Sequence, residues 1–140
     1  MMSSAFSPVY FTDENALGLG KLLRRSGRDD IVYPGHEDLP EVPLGARDVE
    51  WMQVAGARGF IVLTRDRRIR TRPAELAAYR EFGVCSVWIG AKRDLRAQDQ
   101  VELFLKHEDR IRRAAAQLGA GPWALVLGLS GLRQIALREG

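Results

Sequence analysis

The chain has 140 residues, 46% of them hydrophobic and 28% charged, with a net charge of +3 and a pI near 9.4. That length accommodates one compact domain with an apolar core, not two, and the even scatter of Gly and Pro excludes extended disorder. No apolar run reaches the ~18 residues needed to cross a bilayer and no basic segment precedes an apolar one at the N-terminus, so the expectation is a cytoplasmic protein without a membrane partner.

Residues 8–12, P-V-Y-F-T, read as a first strand, and Asp13-Glu14-Asn15 as the polar start of a helix in which Ala16, Leu19, Leu22 and Leu23 recur at helical spacing until Gly27. Asp30-Ile31-Val32-Tyr33 is a second short strand, followed to Gly45 by a loop holding three prolines and three acids. A helix is expected from Arg47 to Gly59 with Val49, Met52 and Ala55 on one face, then a third strand over 60–64 whose unbroken apolar character suits a sheet covered on both sides. Pro73 opens a helix carrying Leu76, Tyr79 and Phe82, and Val84–Ile89 is a fourth strand. The longest helix spans about 97–118, with Val101, Phe104, Leu105, Ile111, Ala115 and Leu118 as its inner stripe. The tail reads as two short strands around Ser130-Gly131. This alternation predicts one α/β domain, three-layer α/β/α with a mainly parallel central sheet: a core over about 8–118 and a C-terminal hairpin-like strand pair over about 121–138.

In such sheets ligands gather beyond the carboxyl ends of the strands, and acids fall there: Asp13 and Glu14 after the first strand and Asp66 after the third. Asp48 or Glu50, at the start of the second helix, supplies a third acid, and Thr64 ends the third strand. Carboxylates gathered at one rim repel unless a cation joins them, and oxygen-only donors suit Mg²⁺ or Mn²⁺. Asp66 stands among Arg65, Arg67, Arg68, Arg70 and Arg72, and eighteen of the twenty-one bases are arginine. Six bases lie in residues 1–60 and fifteen in 61–140, against nine acids in each. Rigid, always-charged forks in the second half fit phosphate, so the expected partner is a polyanion, a nucleic acid held through its backbone, its phosphodiester cut by a metal-activated water. Plainer readings stand beside these: Asp13 and Asp48 as helix caps, Glu14 and Glu50 as first-turn acids, Asp66 paired with neighbouring arginines, and the arginines as a solvated face. His36 and His107 have no metal-ligand spacing, Cys85 reads as a small buried hydrophobe, and Trp51, Trp88 and Trp123 read as core or half-buried anchors, with base stacking as the alternative.

Three pieces, in order, carry a family likeness: Phe11-Thr12-Asp13-Glu14-Asn15 with the helix end Leu22-Leu23-Arg24-Arg25-Ser26-Gly27, then Asp48-Val49-Glu50-Trp51, then Val62-Leu63-Thr64-Arg65-Asp66. Over about residues 9–90 the sequence resembles the PIN-like nuclease superfamily, in particular its VapC-type toxin-like branch. The resemblance implies a small α/β/α ribonuclease that uses Mg²⁺ or Mn²⁺, often the toxin of a toxin-antitoxin pair. It makes Asp13, Asp48 and Asp66 the catalytic, metal-holding acids and Thr64 the hydroxyl residue before the last of them. Many members carry a further acid soon after the third, where this chain has Arg67-Arg68-Ile69-Arg70. That departure keeps a second reading open, an inactive PIN-like module that binds RNA or protein, and the tail suggests an edge for a homodimer or an antitoxin strand. A third reading, a phosphoacceptor receiver-like domain, has the acids but lacks the late Lys-Pro.

Overall fold

The computed structural model describes residues 9–66, 72–90 and 95–137. The chain runs β1 (Tyr10–Thr12), a 3-10 turn (Glu14–Ala16), α1 (Leu17–Arg25), β2 (Ile31–Val32), α2 (Asp48–Arg58), β3 (Ile61–Thr64), α3 (Pro73–Phe82), β4 (Cys85–Ile89), α4 (Ala97–Leu118), β5 (Trp123–Gly128) and β6 (Gly131–Ile135). One sheet holds all six strands in the order β2-β1-β3-β4-β5-β6. The expected α/β/α architecture with a mainly parallel sheet is observed. β5 is a parallel member, paired with β4 from Cys85↔Trp123 to Ile89↔Leu127, and only β6 runs antiparallel.

Successive strand residues point to opposite faces, and both faces are covered, which accounts for the continuous apolar strand sequences. Tyr10, Ile31, Leu63, Val87 and Leu125 pack with Leu19 and Leu23 of α1 and Phe104 and Ile111 of α4. Phe11, Val32, Val62, Trp88 and Val126 pack with Trp51, Met52 and Ala55 of α2 and Ala78 and Tyr79 of α3. Each fully buried Leu or Phe side chain contributes about 1.5–3 kcal/mol, so these two clusters dominate the stability of the sheet. Cys85 is free and buried, as read from the sequence. Among the described residues no helix is long and apolar enough to cross a membrane.

Two helical faces differ from expectation. Val49 is 41% exposed, and α2 turns Trp51 inward beside Met52 and Ala55. Leu105 is 50% exposed and Leu103 is buried in its place. Leu105 lies 100° beyond the fully buried Phe104 around the helix axis, and this carries it past the sheet-facing sector.

Because the chain steps from β1 out to β2 and then returns across β1 to β3, the strand order reverses between β1 and β3. α1 leaves β1 over one face and α3 leaves β3 over the other, which opens a crevice at the carboxyl ends of these two strands. The β4–α4–β5 crossover advances in the same direction as β3–α3–β4 but over the opposite face, so it has the opposite hand. α4 is pinned at the far side by Arg28, which forks onto both Asp30 (2.9 Å) and Glu108 (2.7 Å).

α2 and α3 lie against each other, and their close approach is set by Gly56, where a Cβ would overlap the Phe82 carbonyl oxygen. Both helices end as the sequence indicated, at glycines in the left-handed region, Gly59 (φ 69°) and Gly83 (φ 67°). Gly56→Ala is expected to destabilise the protein by at least about 1–3 kcal/mol through overpacking against backbone, measured by urea unfolding; unchanged stability would show that the two helices can separate without cost.

Candidate active site

Beyond Thr12 the chain leaves the sheet at Asp13, whose carbonyl accepts the Ala16 N–H at 3.0 Å and so opens the 3-10 turn. One strand over, β3 ends at Thr64 and Asp66 follows. The register Thr12↔Leu63 sets these two ends side by side. Thr64 Oγ1 donates to Asp13 Oδ2 at 2.6 Å and accepts the Asp66 N–H at 3.1 Å, so a single hydroxyl links both acids. Asp13 is 1% exposed and Asp66 6%, and Asp13 Oδ1 has no hydrogen-bond partner. Asp48 opens α2, and its Oδ1 accepts the Trp51 Nε1–H at 3.0 Å. Asp13 stands at the N-cap of the 3-10 turn but its side chain makes no cap bond, and Asp48 is not a cap, since the N-cap of α2 is Arg47.

The deepest acid feels the others. Burial is the main cause that pushes Asp13 up to about 7; the Thr64 hydroxyl pulls it down, and the carboxylates of Asp48 and Asp66 push it up further. Behind it, Tyr79 is pushed up to about 12, first by burial and then by the charges of Asp13 and Asp48. The mouth of the crevice holds a guanidinium. Arg72 Nη1 lies 3.6 Å from Asp48 Oδ2, 3.5 Å from Asp66 Oδ2 and 3.3 Å from Glu75 Oε1. Glu75, in the first turn of α3, was not singled out in the sequence; its only signal there is the Arg72-Pro73-x-Glu75 helix start. Trp51, expected as a core or half-buried anchor or a base-stacking ring, also orients Asp48 through its indole N–H.

The remaining expected residues separate. Glu14 Oε2 accepts the Gly45 N–H at 3.1 Å and fastens the Pro-rich loop, and Glu50 Oε1 reaches back to accept the Arg47 N–H at 2.8 Å at the start of α2. Arg65 Nη1 donates to the Ile89 carbonyl at 3.2 Å, beneath Gly90. Arg72 turns inward onto acids. Arg67, Arg68 and Arg70 lie outside the described residues. Trp51, Trp88 and Trp123 are all buried, which leaves no face of theirs for a base.

Among the described residues no three His, Cys, Asp or Glu side chains are arranged to hold a metal ion as they stand. The acids are spaced around Arg72. By chemistry the donor set fits a hard divalent cation: carboxylate oxygens alone, one of them buried and unpartnered on Asp13.

The raised Asp13 has a consequence for stability. Its folded value, about 7, exceeds the ordinary 3.8, so its contribution is fully present below pH 3.8 and is lost as pH rises through about 7. Metal-free unfolding is therefore expected to include a fall of up to about 1.4 kcal/mol per pH unit across this window. Asp13→Asn should flatten that part of the profile; identical profiles for the two proteins would contradict the burial of an ionisable Asp13.

A family model described as PIN like domain matches residues 8–91, more than half of the chain and the stretch that contains Asp13, Asp48, Thr64, Asp66, Arg72 and Glu75. No curated protein and no solved structure matches significantly. PIN-like domains are nuclease-type modules that typically depend on divalent metal. A crevice lined with acids at the strand-order reversal of an α/β/α sheet accords with that match, and the chain belongs to the PIN-like domain family.

Proposed function

We propose that the protein is a metal-dependent endoribonuclease, with Mg²⁺ or Mn²⁺ held by Asp13, Asp48 and Asp66. The observation that carries this reading is the buried Asp13 carboxylate, tied through Oδ2 to Thr64 and left unpartnered at Oδ1, with the charges of Asp48 and Asp66 converging on it. An ion bound there would lower the pKa of a water and draw charge from the phosphodiester. The chain's own residues do the rest. Thr64 occupies one oxygen of Asp13 and leaves the other as the free donor. Trp51 fixes Asp48, and Asp13 gives up its proton when it takes up a cation. Glu75, on the same guanidinium as Asp48 and Asp66, supplies the further acid that the Arg67-Arg68-Ile69-Arg70 run omits. Arg65, Arg67, Arg68 and Arg70 would hold the RNA backbone beside the cut.

The finer assignment, a VapC-type toxin of a toxin-antitoxin pair in the cytoplasm, rests on the ordered motifs from Phe11 to Asp66. β6 forms one edge of the sheet, where a strand of an antitoxin or of a second copy could add. The inactive RNA- or protein-binding module is the second reading, and the ion pairs of Arg72 with the acids favour it.

Cleavage of single-stranded RNA in Mn²⁺, stopped by EDTA, separates the two. Thr64→Val is expected to lower the rate about ten- to hundredfold, as loss of an outer-shell partner does, and Asp13→Ala or Asp66→Asn by more than that. If the wild type is as inert as Asp13→Ala, the binding module stands.

A further inference from the structure

We propose that Arg72 is the resident cation of this acidic crevice, and that a divalent ion enters only by displacing its guanidinium. The inference rests on the metal-centre reading above and adds to it a residue that controls access to the ion.

The geometry of Arg72 is that of a point charge shared among acids. A single nitrogen, Nη1, serves Asp48, Asp66 and Glu75 at 3.3–3.6 Å, the long end of hydrogen-bond range, and none of the three carboxylates receives two nitrogens of Arg72. The same protein builds a tight arginine site elsewhere. Arg28 gives Asp30 two bonds of 2.9 Å and Glu108 two of 3.0 and 2.7 Å. That planar fork is how arginine binds carboxylate when the pairing is meant to last. At the crevice the fork is unused, so the hold is weak and exchangeable.

Three further observations point the same way. Arg72 leaves the deepest acid unserved, since Asp13 Oδ1 has no partner, while one Arg72 nitrogen is shared among the carboxylates of Asp48, Asp66 and Glu75. A divalent ion would replace one positive charge with two and could use the oxygen that arginine does not reach. The Arg72 side chain is 36% exposed, so its head can leave toward solvent without unpacking the core. It also sits at the N-cap of α3, which keeps it beside the crevice after it leaves, within reach of a phosphate.

The test is Mn²⁺ and Mg²⁺ binding, without RNA, by the full chain. Arg72→Gln should bind Mn²⁺ at least about tenfold more tightly than wild type in calorimetry, as expected when about 1.4 kcal/mol of competing exposed ion pairs is removed. In wild type, the Arg72 Nε–H resonance, identified by its loss in Arg72→Lys, should shift during a Mg²⁺ titration. This second readout does not depend on the fold of the glutamine variant. Equal Mn²⁺ affinities with a stationary Arg72 signal would overturn the exchange and leave the metal centre in place. Absence of Mn²⁺ and Mg²⁺ binding in every variant would overturn both, with Arg72 then a structural counter-ion.

Discussion

The site depends on one hydroxyl. Thr64 ends β3 at the point where β1 has already delivered Asp13, and its Oγ1 both donates to the Asp13 carboxylate and accepts the Asp66 backbone N–H. Two acids fifty-three residues apart in sequence are thereby fixed by the parallel pairing of adjacent strands, and that pairing is held by the apolar clusters on both faces of the sheet. A valine at 64 would keep the strand and lose the link. The bond also divides the labour of the Asp13 carboxylate, with one oxygen committed to structure and the other free.

Burying a carboxylate is costly unless something offsets its charge. The fold uses several means together. The N-termini of α2 and α3, from which Asp48 and Glu75 come, bring partial positive charge to the same end of the sheet. Asp13 responds to burial by holding its proton until about pH 7, and Arg72 neutralises part of the remainder. Like charges held together against their repulsion are a recurrent mark of a functional site, because a structural role would be served as well by fewer of them.

Most of the scaffold was legible in the sequence. The apolar runs, the glycine stops at Gly59 and Gly83 and the proline start at Pro73 report backbone geometry directly, and α4 falls on its expected 97–118. The placement of Asp13 beside Asp66 followed from neighbouring strands. What escaped was side-chain direction. Val49 and Leu105 were assigned inward on spacing alone, but Trp51 and Leu103 take those places. Arg72 read as an outward phosphate contact because its neighbours in sequence are arginines; its place at the N-cap of α3 turns it onto acids contributed by three separate segments. Glu75 was hidden for the same reason, since a first-turn glutamate is ordinary in any helix and its meaning comes only from what stands opposite.

The claim at the centre is that the carboxylates of Asp13, Asp48 and Asp66 share one divalent ion. Crystals soaked in Mn²⁺ and measured near the manganese edge test it directly. The account requires an anomalous peak within about 2.0–2.6 Å of oxygens from Asp13 and at least one of Asp48 and Asp66. A map with no peak at the carboxyl ends of β1 and β3, in crystals grown without a competing chelator, would contradict it.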